Sequence, residues 1–471
     1  MTISRHGLID DFGQALLEGT GALFIGAGLS LKAGLPEWAN LLKDAQIAAD
    51  VPDMSDLPLM AEYIVNSPRV GRAGLDAAIM DKVAGPFTPT KAHDLIRSLP
   101  AGEIWTTNYD RLLEQACLDA AVVDGEPRIQ LVGSRPRTII KMHGSVDASR
   151  AWASPPIVTR TDYENYPIDR PRTWAVLQGA YLSRTMLFLG FSFTDPNVEV
   201  LLKLARRYGR STGYPGPQTR HITVLRRPDT SDDDQRRRHG LQVEDLERSG
   251  VRVHEIDDFH ELEPLLSDLV RRTRPKRLFV SGSGGPPKVD LAPWTGPLAS
   301  PLADRNDWEL TSLGGEAAWG LSKEVAEIRK AEDKYDPDKI KFSFRGSTSR
   351  APSMDSRVGT AVYTDLTREQ LVPRLLQNCR ALLAIHGADR TAEEIAWAQD
   401  RGVGVIPLAA SGGAAKAYWD AQDPHDLPNL GGQQADQAVW QRLDDASPKI
   451  ATRAAMELLV QAMYDRPVGR V

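Results

Sequence analysis

A histidine, an amide and two carboxylates, each at or just beyond an expected strand end, are the groups in this chain best placed to do chemistry on a nucleotide. His143 stands in Lys141-Met142-His143-Gly144, at the end of a β-branched run. An imidazole with an ordinary pKa near ~6.5 can accept a proton at cell pH. Asn108 and Asp110 lie two residues apart in Trp105-Thr106-Thr107-Asn108-Tyr109-Asp110. In an extended segment they face one side and can hydrogen-bond ribose hydroxyls and orient a water. Gly26-Ala27-Gly28-Leu29-Ser30, followed by Gly34-Leu35-Pro36 and Trp38, offers backbone that a pyrophosphate can approach closely. Gly190-Phe191-Ser192-Phe193-Thr194-Asp195-Pro196-Asn197 supplies a serine, an aspartate and an asparagine that can cap a helix and touch a nucleotide sugar. Taken singly, each fragment reads as ordinary structure: a core histidine, a helix cap, a strand–helix turn. Four such strand ends in one series converge on one crevice if the sheet is doubly wound, and that favours a nucleotide site.

The elements that must position these groups form two strand–helix series. In the first, apolar or β-branched runs at 22–25, 104–107, 138–142, 186–189, 222–225 and 251–256 are expected strands. Helical patterns at 109–118 and 197–208 lie between some of them, and a mostly helical stretch, about 38–98, is inserted after the first. The pattern restarts near 271–276. Further strands are expected at 278–280, 308–311, 340–344, 381–385 and 403–408, with helices at 316–330, 368–377, 392–400 and 451–463. The proline-rich segment 286–301 reads as an irregular surface connector. No repeat of solenoid period is present. Strands alternating with helices predict an α/β protein with two Rossmann-like, doubly wound parallel-sheet domains, residues 1–273 and 274–471, the first with a helical insertion.

Composition narrows the function. The chain is 41% hydrophobic and 25% charged with a net charge of −6, and its basic residues are scattered, which disfavours nucleic acid or an anionic membrane as partner. Asp232 to Asp234 followed by Arg236 to Arg238 reads as a solvated loop entering a helix. Two distant cysteines, Cys117 and Cys379, build neither a disulfide framework nor a four-cysteine zinc site. The expectation is a cytoplasmic protein with no metal, no signal peptide and no membrane span.

The first series resembles the sirtuin superfamily over about 19–257: G-A-G-x-S with the later G-x-P-x-W, then T-x-N-x-D, an H-G turn, and G-x-S at a strand end. The resemblance implies that NAD⁺ binds across the crevice as substrate. His143 would then be the catalytic base, Asn108 would position the ribose or the attacking water, and Asp110 would orient the ribose. Ala27, Gly28 and Ser30 would line the phosphates, with Trp38 and Thr106 in the same motifs. Gly190, Ser192 and Asp195 would lie nearer the adenosine half, with Asp257 a weaker addition. Protein-deacylating sirtuins carry a four-cysteine zinc module, absent here. The W-T-T-N-Y-D form looks like the sirtuin-like domains of bacterial antiphage systems, which hydrolyse NAD⁺ to nicotinamide and ADP-ribose. A deacylase, an ADP-ribosyltransferase and a non-catalytic sensor of NAD⁺ or ADP-ribose remain the competing classes.

In the second series, Phe279-Val280-Ser281-Gly282-Ser283-Gly284-Gly285, Leu313-Gly314-Gly315, Arg345 and 385–394 fall at or beyond strand ends. No Walker A spacing occurs. This region resembles the SLOG family of nucleotide-sensing domains, related to phosphoribohydrolases with a P-G-G-x-G-T-x-x-E loop. Thr391 and Glu394 keep the T-x-x-E positions, but the paired glycines are missing, so sensing is expected rather than hydrolysis. The domain order resembles the effectors of the Thoeris antiphage system. That implies activation by a cyclic ADP-ribose isomer made by a TIR-domain partner, contacts at Gly282, Ser283, Gly314, Arg345 and Glu394, and a homo-oligomer, tetramer or filament.

Overall fold

The computed structural model describes residues 2–211, 221–228, 232–285, 288–345 and 358–464. The chain divides into two compact units, Met1–Leu269 and Val270–Val471, and the division falls within the helix Leu262–Thr273.

The first unit is built on a seven-stranded parallel sheet. Its strands are β1 (Gly21–Ile25), β2 (Glu103–Thr106), β3 (Ala121–Val123), β4 (Thr138–Lys141), β5 (Thr185–Leu189), β6 (His221–Arg226) and β7 (Val251–Ile256), in the order β3-β4-β2-β1-β5-β6-β7. β1 is buried at all five positions, as a strand covered on both faces must be. Strand order reverses between β1 and β5, which places the ligand crevice beyond their C-terminal ends. Phe24, Phe188, Phe191 and Phe193 form a continuous ring cluster that anchors those ends. The expected helical insertion is four helices, Trp38–Ala49, Leu57–Asn66, Gly71–Val83 and Lys91–Ser98, and the first three share one core cluster with Tyr109, Leu112, Val146 and Val158. Asp232 caps the helix Asp233–Arg248 through the N–H groups of Asp234 and Gln235.

The expected helix at 109–118 is corrected to Leu112–Ala116. Asp110 Oδ1 accepts the N–H of Leu112 at 3.0 Å, so the aspartate closes a turn and starts the helix late. β3, a three-residue edge strand, had no sequence signal, because three residues cannot show a period.

The second unit holds a six-stranded parallel sheet: β8 (Arg277–Ser281), β9 (Glu309–Ser312), β10 (Ile340–Arg345), β11 (Thr360–Thr364), β12 (Ala381–Ile385) and β13 (Gly404–Leu408), ordered β11-β10-β9-β8-β12-β13. The switch point lies between β8 and β12. β11, an edge strand with Val362 and Tyr363 exposed, was not anticipated. The reading of 286–301 as an irregular connector is overturned, because Ala292–Ala303 is a helix. Pro293, Pro297 and Pro301 recur every four residues and so share one side, while Leu298, Ala299, Leu302 and Ala303 enter the core. Each internal proline removes one helical hydrogen bond. Burial against the helices Glu316–Ala331 and Pro448–Ala462 offsets that loss.

Candidate active site

Three glycines let the two strand-end turns of the first sheet close on each other. A Cβ at Gly26 would strike the carbonyl oxygen of Gly190, one at Gly28 would lie 2.9 Å from Gly190 Cα, and one at Gly190 would strike the Leu29 nitrogen. Gly190 has φ +62°, and Gly28 N–H donates to its carbonyl at 3.0 Å. Phe193, also at positive φ (+61°), keeps the second turn tight.

A cavity of about 770 Å³ opens beyond these turns. Of the residues expected at the site, Ala27, Gly28, Ser30, Trp38, Asn108, Asp110, His143, Gly190, Ser192 and Asp195 line it. Thr106 does not reach it; its hydroxyl instead accepts the N–H of Asn108 at 3.0 Å and sets that residue's position. Asp257 lies elsewhere, exposed and paired with Arg227 at 2.7 Å.

Asn108, Ser30 and Asp110 form one buried network. Asn108 Nδ2 donates to the Gly26 carbonyl at 3.2 Å and to Ser30 Oγ at 3.1 Å, and Ser30 Oγ donates to Asp110 Oδ2 at 2.9 Å. With its amide nitrogen fixed, Asn108 Oδ1 is left buried and without a partner. His143 Nε2 lies 3.2 Å from Asp195 Oδ2, yet out of hydrogen-bonding alignment, so it too is buried and unpartnered. The other oxygen of Asp195 caps the helix Pro196–Ser211 through the N–H groups of Asn197 and Val198. Burial pulls the His143 pKa below the ordinary histidine value; the Asp195 carboxylate opposes this and Arg170 adds to it. The imidazole is therefore held neutral, the form that can take a proton.

Several positioning residues escaped the sequence reading. Lys141, fully buried, donates to the carbonyl of Tyr109 at 3.2 Å, to that of Asp110, and to Glu114 Oε1 at 2.7 Å, fixing the turn that carries Asn108 and Asp110. A lysine within Thr138-Ile139-Ile140-Lys141-Met142 was the available signal, since a buried ammonium needs partners. Arg170 donates to the carbonyls of Met142 at 3.1 Å and Pro155 at 2.7 Å, on either side of His143. Tyr163 packs edge-on against the imidazole at 5.3 Å and against Trp38 at 6.3 Å. Nothing in the sequence marked Tyr163 or Arg170.

In the second unit, the corresponding groups are engaged with their neighbours. Gly282 (φ +145°) packs against the carbonyl of Ile385, and Ser283 O accepts the N–H of Gly387 at 3.1 Å and faces His386 Nδ1 at 3.1 Å. Gly314 turns at φ +77°, its N–H donating to Ser312 Oγ. Both oxygens of Glu394 are occupied, Oε2 by Ser281 Oγ at 2.5 Å and Oε1 by Arg368 at 2.8 Å. Arg345 ends β10, and its side chain lies outside the described residues. No cluster of potential metal ligands occurs among the described residues, and no helix there is long and apolar enough to cross a membrane.

A SIR2-like domain family matches residues 102–252. Three relatives are each named NAD(+) hydrolase ThsA. The Enterococcus faecium protein is 33% identical over 62% of this chain and 63% of its own length. That of Bacillus cereus is 32% identical over 58% of this chain and 59% of its own length. The chain thus spans under two thirds of these two relatives. The Acinetobacter baumannii protein is 30% identical, and the alignment runs through 88% of this chain and 89% of that protein. On that near-complete match, this chain belongs to the ThsA family, with a SIR2-like domain in its first unit.

Proposed function

We propose that the first unit hydrolyses NAD⁺ at the nicotinamide–ribose bond, releasing nicotinamide and ADP-ribose. The observation that carries this reading is the pair of buried, unpartnered atoms, Asn108 Oδ1 and His143 Nε2, on residues lining one cavity. Buried polar groups are nearly always satisfied, so two exceptions on residues that line one cavity leave bonding capacity that a ligand can use. The relatives named NAD(+) hydrolase ThsA agree with it.

The C–N bond breaks with its electron pair going to the pyridine nitrogen, and an oxocarbenium-like centre is left on the ribose. Asn108 orients the ribose hydroxyls or the incoming water. Asp110, held by Ser30 and Leu112, places a carboxylate near the developing positive charge. Water adds to the ribose carbon, and neutral His143 takes the proton it sheds.

The second unit, in this reading, senses a cyclic ADP-ribose isomer made by a TIR-domain partner, with contacts at Gly282, Ser283, Gly314, Arg345 and Glu394. The chain would act as a cytoplasmic homo-oligomer whose depletion of NAD⁺ aborts phage infection. Support comes from the cluster of positive-φ turns at the β8/β12 switch point, where open α/β sheets bind ligands. Chromatography of NAD⁺ and its products, with and without cyclic ADP-ribose isomers, tests both parts. The expected result is isomer-dependent release of nicotinamide and ADP-ribose. NAD⁺ binding without turnover under every condition would make the chain a sensor instead.

A further inference from the structure

Away from His143, the same cavity runs to the C-terminal ends of β6 and β7, where Val224, Leu225, Arg226, Gln242, Ile256 and Phe259 line it. With the scissile bond against His143, the adenosine half of the dinucleotide extends toward this end. Open α/β sites that read the plain adenosine ribose place a carboxylate on its 2′-hydroxyl, whereas an arginine there accommodates a 2′-phosphate.

The carboxylates of this region are committed elsewhere. Glu255 meets His239 Nε2 at 2.8 Å and Asp257 pairs with Arg227 at 2.7 Å. Asp258 caps the turn at the N–H of His260, and Glu261 accepts the N–H groups of Asp257 and Asp258. None of the four lines the cavity. Arg226 does, and it is the one permanently charged side chain among the lining residues between 224 and 262. Its Cα is in register with Ile256 at the ligand edge of the sheet, and its guanidinium sits 5.5 Å over the Phe259 ring. It makes no ion pair among the described residues. A solvated guanidinium with no hydrogen-bond partner among the described residues, held over a ring beside the cavity, gains far more from a phosphate dianion, through charge-assisted paired bonds, than from a neutral hydroxyl.

We propose that this chain accepts the 2′-phosphorylated dinucleotide NADP⁺ as well as NAD⁺, with Arg226 receiving the 2′-phosphate; the turnover part rests on the hydrolase reading above. The reaction is the same: the C–N bond breaks toward the pyridine nitrogen, the water oxygen bonds to the ribose carbon, and one proton leaves. NADP⁺ and water give nicotinamide, ADP-ribose 2′-phosphate and a proton.

The test titrates ADP-ribose and ADP-ribose 2′-phosphate calorimetrically into the full-length protein and its Arg226→Glu and Arg226→Lys variants, alongside nicotinamide release from NAD⁺ and NADP⁺ measured in the presence of cyclic ADP-ribose isomers. Wild type should bind the two ligands with Kd values within about tenfold of each other. Arg226→Glu should weaken the phosphorylated ligand relative to the plain one by about tenfold or more, the size of one charge-assisted hydrogen bond, and Arg226→Lys should restore part of that. The NADP⁺/NAD⁺ ratio of kcat/KM should fall in step. Exclusion of the phosphorylated ligand from wild type, or a ratio unmoved in Arg226→Glu, overturns the proposal. Binding of ADP-ribose with neither dinucleotide consumed would sink the hydrolase reading, and the two Kd values would still decide the role of Arg226.

Discussion

The switch point of the first sheet, between β1 and β5, and that of the second, between β8 and β12, share a backbone device. The chain leaves β5 through Gly190 and Phe193 at positive φ, and leaves β12 through His386 and Gly387 at positive φ. Their polar groups are used differently. In the first crevice Asn108 Oδ1 and His143 Nε2 have no partner. In the second, both oxygens of Glu394 and the carbonyl of Ser283 are taken by neighbouring groups. A reacting group with an internal partner must break that bond before each turnover, so a catalytic crevice leaves it unbound. On the proposed reading, a ligand entering the second crevice must replace internal bonds, so its occupancy would alter the turns. A ligand shifts a protein between states only through such differential contacts.

The sharpest way to break this comparison is to remove the unbound groups. His143→Ala and Asn108→Ala should each lower NAD⁺ consumption by ~10²–10⁴-fold, the usual cost of losing a positioned base or its partner. Full activity in either purified variant removes that residue from the mechanism.

A smaller effect is expected in the second crevice. Glu394→Gln keeps the shape but weakens the tie between Ser281, at the end of β8, and Arg368, at the start of the helix Arg368–Leu376. We expect a loss of about 1–3 kcal/mol from the second unit, read as faster amide exchange in β8 and in the helix Asp389–Asp400. Unchanged protection would mean that the crevice is not held together by this carboxylate.

The smallest effect is on pH. Burial lowers the pKa of His93, His143 and His254. Their unfolded forms bind protons first, at about 6.5, so the first unit should lose stability as pH falls below that value and stop losing it once the folded forms protonate. On the proposed mechanism the catalytic rate needs neutral His143, so it should hold through pH ~6.5 and fall only below it. Denaturant midpoints and rates between pH 7.5 and 5 check both, for which ~6.5 is the reference; a rate that halves at the ordinary histidine value would place His143 in contact with solvent.

The central strands were legible because they are buried on both faces. Runs such as Ala381–Ile385 and Thr185–Leu189 are wholly or largely apolar. The edge strands β3 and β11 were not, because one is too short for a period and the other is half-exposed. The helix Ala292–Ala303 was hidden by its prolines, since local propensity argues against a helix that only packing stabilises.

The sequence by itself determined where the chemistry could sit: glycines at strand ends, and His143, Asn108 and Asp110 directly after β-branched runs. These are local properties, set by residue type and spacing along a few residues of chain. Tertiary structure alone decided what each polar group does, because its partner comes from a distant segment. Asp195 faces His143 from 52 positions away in the chain, Ser30 holds both Asn108 and Asp110, and Glu394 is consumed by Ser281 and Arg368. A carboxylate carries no mark in the sequence of whether folding will spend it on a neighbour or leave it for a ligand; hydrogen-bond geometry in the packed molecule settles that.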